Sequence, residues 1–121
     1  MFPFRGAPRR VTADEARRLT LGSAANAVLL DVREQGEWEA GHAPGAVHAA
    51  LSRLTAGAAL PGAAHGRPVV VVCRSGHRSQ QAARLLADRG VDAVDVRGGM
   101  KAWAAAGYEI AGPRGTIGTV A

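Results

Sequence analysis

Hydrophobic positions in this chain gather in short runs, and the runs alternate with stretches of helical spacing. Ala27-Val28-Leu29-Leu30, Val69-Val70-Val71-Val72 and Ala93-Val94-Asp95-Val96 read as strands, and Ala46-Val47-His48-Ala49 as a weaker one. Four valines without polar alternation are the pattern of a strand buried on both faces, in the middle of a parallel sheet. The 93–96 run is shorter in apolar content and is placed nearer an edge. Helices are predicted over about 13–19, 34–40, 51–59, 79–89 and 100–106, with Gly22, Gly41, Gly90 and Gly107 as stops. Thr12-Ala13-Asp14-Glu15 has the capping-box pattern, with Val11 and Ala16 set as a hydrophobic staple. Residues 61–68 read as a loop. Residues 1–11 form a lead-in, loose or docked, in which Arg9-Arg10 is a solvated pair. Residues 12–107 form the domain, and 108–121 an extended or mobile tail. Strands alternating with helices in one small domain predict an α/β fold with a mostly parallel sheet of about five strands and helices on both faces.

Composition narrows the class. The 121 residues suffice for one domain with a core, and 47% hydrophobic content excludes a disordered chain. No run reaches the length of a membrane span, and Met1-Phe2-Pro3-Phe4-Arg5 lacks the apolar centre of a signal peptide. One cysteine excludes an internal disulfide and suits a reducing compartment, so the expected location is the cytoplasm. The net charge of +5 is carried almost wholly by arginine. The arginines are scattered and aromatics are only 4%, which argues against a nucleic-acid surface and for a small anionic partner. His42 and His48 lack zinc-ligand spacing and have no second cysteine to help, so no metal is expected. Trp38 and Trp103 read as packing aromatics, and the chain as a monomer.

The chemistry concentrates where the valine run ends. Cys73 follows Val72 at the carboxyl end of the central strand, and Arg74-Ser75-Gly76-His77-Arg78 leads into a helix beginning near Ser79. In open α/β sheets ligands bind at that end. Loop N–H groups and a helix N-terminus there favour negative charge. A free thiol titrates near about 8.5, and helix N-termini and neighbouring cations lower that value. A cysteine after an apolar run can equally be an inert core residue. Two arginines and a glycine just beyond it favour an activated nucleophile.

Four segments together carry a family resemblance: Leu29-Leu30-Asp31-Val32-Arg33-Glu34, Glu37-Trp38-Glu39-Ala40-Gly41-His42-Ala43-Pro44-Gly45-Ala46, Cys73 through Ser79, and Gly98-Gly99-Met100-Lys101-Ala102-Trp103. In this order and spacing the chain resembles a single-domain rhodanese, a thiosulfate sulfurtransferase-like module, over about residues 12–107. The resemblance implies that Cys73 takes a sulfane sulfur from a small anionic donor such as thiosulfate and passes it, as a persulfide, to cyanide or a thiol. A sulfur-carrier or thioredoxin-like protein is a further candidate acceptor. No cofactor and no membrane are implied. Arg74, Ser75, Gly76, His77 and Arg78 would form the substrate loop, with Gly76 allowing its turn and Arg78 and Arg74 attracting the donor. Asp31, Arg33 and Ser79 would support that loop. For Asp31 and Arg33 a structural role is favoured, Asp31 capping loop N–H groups and Arg33 pairing with an acid such as Glu37. Ala43 stands where the family has a branched residue, which bears on packing rather than on the catalytic loop.

Two rival readings remain. Cysteine phosphatases carry five residues between cysteine and arginine, and here only four separate Cys73 from Arg78. The smaller ring suits one sulfur atom better than a phosphate. A non-catalytic rhodanese-like binding or regulatory module is the other alternative, because fold alone does not determine function.

Overall fold

The computed structural model describes residues 9–23 and 25–120. Of the lead-in expected over 1–11, residues 1–8 lie outside the described residues. Five strands form one sheet: β1 (Arg10–Val11), β2 (Val28–Asp31), β3 (Val47–His48), β4 (Val69–Val72) and β5 (Ala93–Val96). Their order is β1-β5-β4-β2-β3, and every pairing is parallel. Every strand therefore ends at the same edge of the sheet. Four helices connect them, α1 (Ala13–Thr20), α2 (Gln35–Ala40), α3 (Leu51–Thr55) and α4 (Arg78–Asp88), and α5 (Gly99–Ala105) follows β5.

Alternation along β4 divides the core into two layers. Val70 and Val72 join Val94 and Val96 against Ala16 of α1 and Met100 and Trp103 of α5. Val69, Val71 and Cys73 face Leu51 and Leu54 of α3 and Ala82, Ala83 and Leu86 of α4. All four valines are fully buried. At about 1.5–3 kcal/mol for each such side chain, they hold the strand that carries the cysteine. The α1 start is the expected capping box, with the Thr12 hydroxyl accepting the Glu15 N–H at 3.1 Å.

Four expectations change. Residues 10–11 form an edge strand on β5, so β5 is interior rather than near an edge. A two-residue strand has too little hydrophobic periodicity to be recognised in sequence. Arg10 is not a solvated residue: its guanidinium reaches Asp95 and the Gly76 carbonyl. Arg9 is exposed beside Glu15, at 3.8 Å. Helix α3 ends at Thr55 instead of continuing to residue 59, because Gly57 takes φ +98° and turns the chain.

The tail is more ordered than expected. Ala111 bridges both His42 and Ile117, and the Thr119 N–H donates to the Ala40 carbonyl at 3.1 Å. Gly41 packs so closely on this return that a Cβ would sit 2.5 Å from the Thr119 carbonyl oxygen. Among the described residues, no helix is long and apolar enough to cross a membrane.

Candidate active site

Cys73 leaves the end of β4 buried, with 1% of its surface exposed. Its Sγ accepts the Gly76 N–H at 3.1 Å. That contact needs the loop to fold back within three residues, which Gly76 permits at φ +105°. A Cβ at Gly76 would also lie 2.7 Å from an Arg10 guanidinium nitrogen. The outer side of the loop is tied to α5: Met100 N–H donates to the Cys73 carbonyl at 2.7 Å, and Lys101 N–H to the Arg74 carbonyl at 3.0 Å. The first turn of a helix has N–H groups without intrahelical partners, and here they hold the two carbonyls.

Arg74 is half-buried, Ser75 and His77 are exposed, and Gly76 is buried beneath them. His77 stands at the N-cap position of α4 and makes no side-chain cap. Arg78 turns toward α2 and donates to both carboxylate oxygens of Glu37, at 2.5 and 2.8 Å. This hydrogen bond from Arg78 holds the Glu37 carboxyl below its ordinary value, against the opposing effect of burial. The Glu37 contact in turn raises Arg78. A depressed carboxylate stabilises the fold above its unfolded value, here 4.5, and that contribution is lost as pH falls through the folded value. Both groups are partly exposed, so the pair is worth about 1 kcal/mol or less. Glu37→Gln should therefore lower stability at neutral pH by about that amount, and the difference should shrink at a pH below 4.5, as the carboxyl protonates. Urea titrations of the two proteins at both pH values read this directly.

Asp31 and Arg33 form a closed pair at the end of β2, both fully buried. Arg33 Nε lies 3.0 and 3.1 Å from the two Asp31 oxygens, and its terminal nitrogen 2.7 Å from Oδ2. Asp31 also accepts the Arg33 backbone N–H at 3.0 Å, where the chain leaves β2. The pairing of Arg33 with Glu37 does not occur: Arg33 reaches Asp31 and the Gly41 carbonyl, and Glu37 is taken by Arg78. Two residues are enough for a guanidinium to fold back on a carboxylate, and burial makes that nearest partner decisive. Arg33→Ala leaves Asp31 as a buried charge without its cation, so a loss of about 3 kcal/mol in unfolding free energy is expected. Denaturant melts of Arg33→Ala, compared with an Asp31→Leu/Arg33→Met double variant that should recover much of the loss, check it. Trp38 anchors the same corner, stacked on His42 at 3.6 Å and on His48 at 4.9 Å.

Ser79 was expected to support the loop, but its partners Asp95 and Arg10, and Gln80 beside them, were not legible as site residues. Ser79 Oγ lies 3.4 Å from Cys73 Sγ and donates to Asp95 Oδ2 at 2.8 Å. Arg10 grips Asp95 through two 3.2 Å contacts and donates to the Gly76 carbonyl at 2.8 Å. Gln80 donates to the same carbonyl. The signal for Asp95 was an acid inside a four-residue buried strand, a placement that demands a partner. Nothing local marked Arg10, which lies 85 residues away in sequence. Among the described residues, no group of three or more His, Cys, Asp or Glu converges as a metal site.

A family model for the rhodanese-like domain matches residues 12–106. An adenylyltransferase and sulfurtransferase, UBA4, of Yarrowia lipolytica is 35% identical over 106 residues, covering 84% of this chain and 27% of that protein. The chain thus spans about a quarter of that relative. A rhodanese homologue from Thermus thermophilus superposes with TM-score 0.61 at 30% identity, over 78% of this chain and 99% of that one. A Rhodopseudomonas palustris protein of unknown function, described as a possible tyrosine phosphatase, superposes with TM-score 0.73 at 26% identity, over 88% and 87% of the two chains.

Proposed function

Given that the chain belongs to the rhodanese-like domain family, we propose that it is a sulfurtransferase that carries sulfur as a persulfide on Cys73. The observation that carries the reading is the placement of its lone cysteine. Cys73 leaves the central strand inside a tight loop, with the Gly76 N–H on its sulfur. The Cys73 thiolate attacks the outer sulfur of thiosulfate. The S–S bond of the donor breaks, sulfite leaves with the electron pair, and Cys73 holds an anionic persulfide. Cyanide or a thiolate then attacks the outer sulfur, and the Cys73 thiolate returns as leaving group. Loop N–H groups offset the negative charge on sulfur. Arg74 and Arg78 supply the positive field for an anionic donor. The reaction draws on the cysteine and its loop alone, and a reducing compartment such as the cytoplasm suits a single free thiol. The sulfurtransferase named among the relatives supports sulfur transfer as the activity, and a protein sulfur carrier is a candidate physiological acceptor.

Intact mass after incubation with thiosulfate tests the proposal. The protein should gain one sulfur atom, and cyanide should remove it. A mass unchanged by both thiosulfate and persulfide donors overturns catalysis and favours a binding module.

A further inference from the structure

The hydrogen-bond chain behind the thiol runs Cys73 Sγ, Ser79 Oγ, Asp95 Oδ2, and Arg10 closes it onto Gly76. Ser79 is fully buried and Asp95 nearly so. A serine hydroxyl has one hydrogen to give. With Asp95 at 2.8 Å the hydroxyl donates that hydrogen to the carboxylate, and the oxygen lone pairs face the sulfur. Turning the hydrogen toward sulfur would leave two oxygens facing each other at that distance with no proton between them. Arg10 prevents Asp95 from moving aside, since it contacts both carboxylate oxygens and is itself bonded to the loop.

We propose that Asp95, fixed by Arg10, is a positioning residue that keeps the Ser79 hydroxyl an acceptor toward Cys73, so that the empty site rests as a protonated thiol. In that state the S–H donates to Ser79 Oγ. The Gly76 N–H remains the sulfur's donor. Loading relieves the conflict, because a persulfide carries its charge on the outer sulfur, one bond farther from Ser79. The network thus disfavours charge on the empty sulfur without opposing it on the loaded one. This consequence for turnover rests on the sulfurtransferase reading; the protonation state itself does not.

The loop and the elements beside it carry other charged groups. Arg74, His77 and Arg78 lie in the loop or at its junction with α4. Glu37 of α2 holds Arg78, and Asp31 holds Arg33 at the end of β2. Arg97 and Lys101 are exposed beside the start of α5. Of the carboxylates, Asp95 is the one joined to the sulfur through a single hydroxyl.

Cys73 is the only cysteine, so alkylation by iodoacetamide reports it alone. The experiment follows alkylation rate against pH for the parent, Ser79→Ala and Asp95→Asn, with no sulfur donor present. Ser79→Ala leaves the Arg10–Asp95 pair intact, and a thermal melt confirms that each variant folds. Both variants should alkylate about ten-fold faster than the parent near pH 6, with rates converging above about pH 9. A slower Ser79→Ala reaction at low pH would mean that the hydroxyl donates to the thiolate, and overturns the proposal. An unchanged rate, or an equal acceleration at every pH from a loosened loop, overturns it as well. Because the assay uses no donor, its result stands whether or not the protein accepts sulfur from thiosulfate.

Discussion

With Cys73 replaced by serine, sulfur loading is expected to disappear and cyanide-dependent transfer to fall at least about a thousand-fold. The loss is chemical rather than structural. Serine differs by one atom, fits the same buried site, and can still accept the Gly76 N–H that now bonds Sγ. The fold should therefore survive with a change of about 1 kcal/mol. What is lost is a nucleophile whose anion forms a bond to sulfur that is easily cleaved again. Intact mass, the thiocyanate formed from cyanide and a thermal melt, taken on the same preparations, separate the two effects. Transfer that persists in a folded Cys73→Ser protein would remove the persulfide from the scheme, since the chain has no other thiol.

Gly99→Ala is expected to be nearly as severe, by a different route. Gly99 has φ +57°, and a Cβ there would lie 2.3 Å from the Cys73 carbonyl oxygen and 2.7 Å from the Arg74 carbonyl carbon. Both are backbone atoms of the loop itself and have no rotamer to escape into. Left-handed backbone for alanine adds about 1–2 kcal/mol, and overpacking against rigid neighbours adds about 1–3 kcal/mol. A loss of about 2–5 kcal/mol in unfolding free energy follows, with sulfur loading reduced about ten-fold or more in the fraction that folds. The clash also pushes Met100 and Lys101 away from the carbonyls they hold. Denaturant melts give the first quantity and the initial rate of loading the second. Normal loading in Gly99→Ala would show that the contact with α5 does not shape the loop.

These two residues illustrate what was legible. Cys73 was visible because its strand, its loop and its helix are consecutive in sequence. Gly98-Gly99 was visible as a turn and as part of a family pattern. Its contact with the loop, some 25 residues upstream, was not. Asp31 and Arg33 were recognised as a structural element, but the partner of Arg33 was misplaced. In sequence Glu37 and Asp31 are both near enough to pair with it. Only the direction in which α2 leaves the sheet sends Glu37 to Arg78 instead.

Local sequence was enough for the α/β class, the three four-residue strands, the helices between them, and the cysteine at the end of the buried valine run. Each of these depends on local periodicity and capping, and local rules act within a few residues. Tertiary structure alone decided that Arg10 forms an edge strand and that β5 lies inside the sheet. It also placed Asp95, through Ser79, behind the sulfur. Those outcomes depend on which strands become neighbours, and parallel pairing joins strands that are distant in sequence. Burial then makes each buried charge take the partner the sheet order brings near, whatever lies closest along the chain.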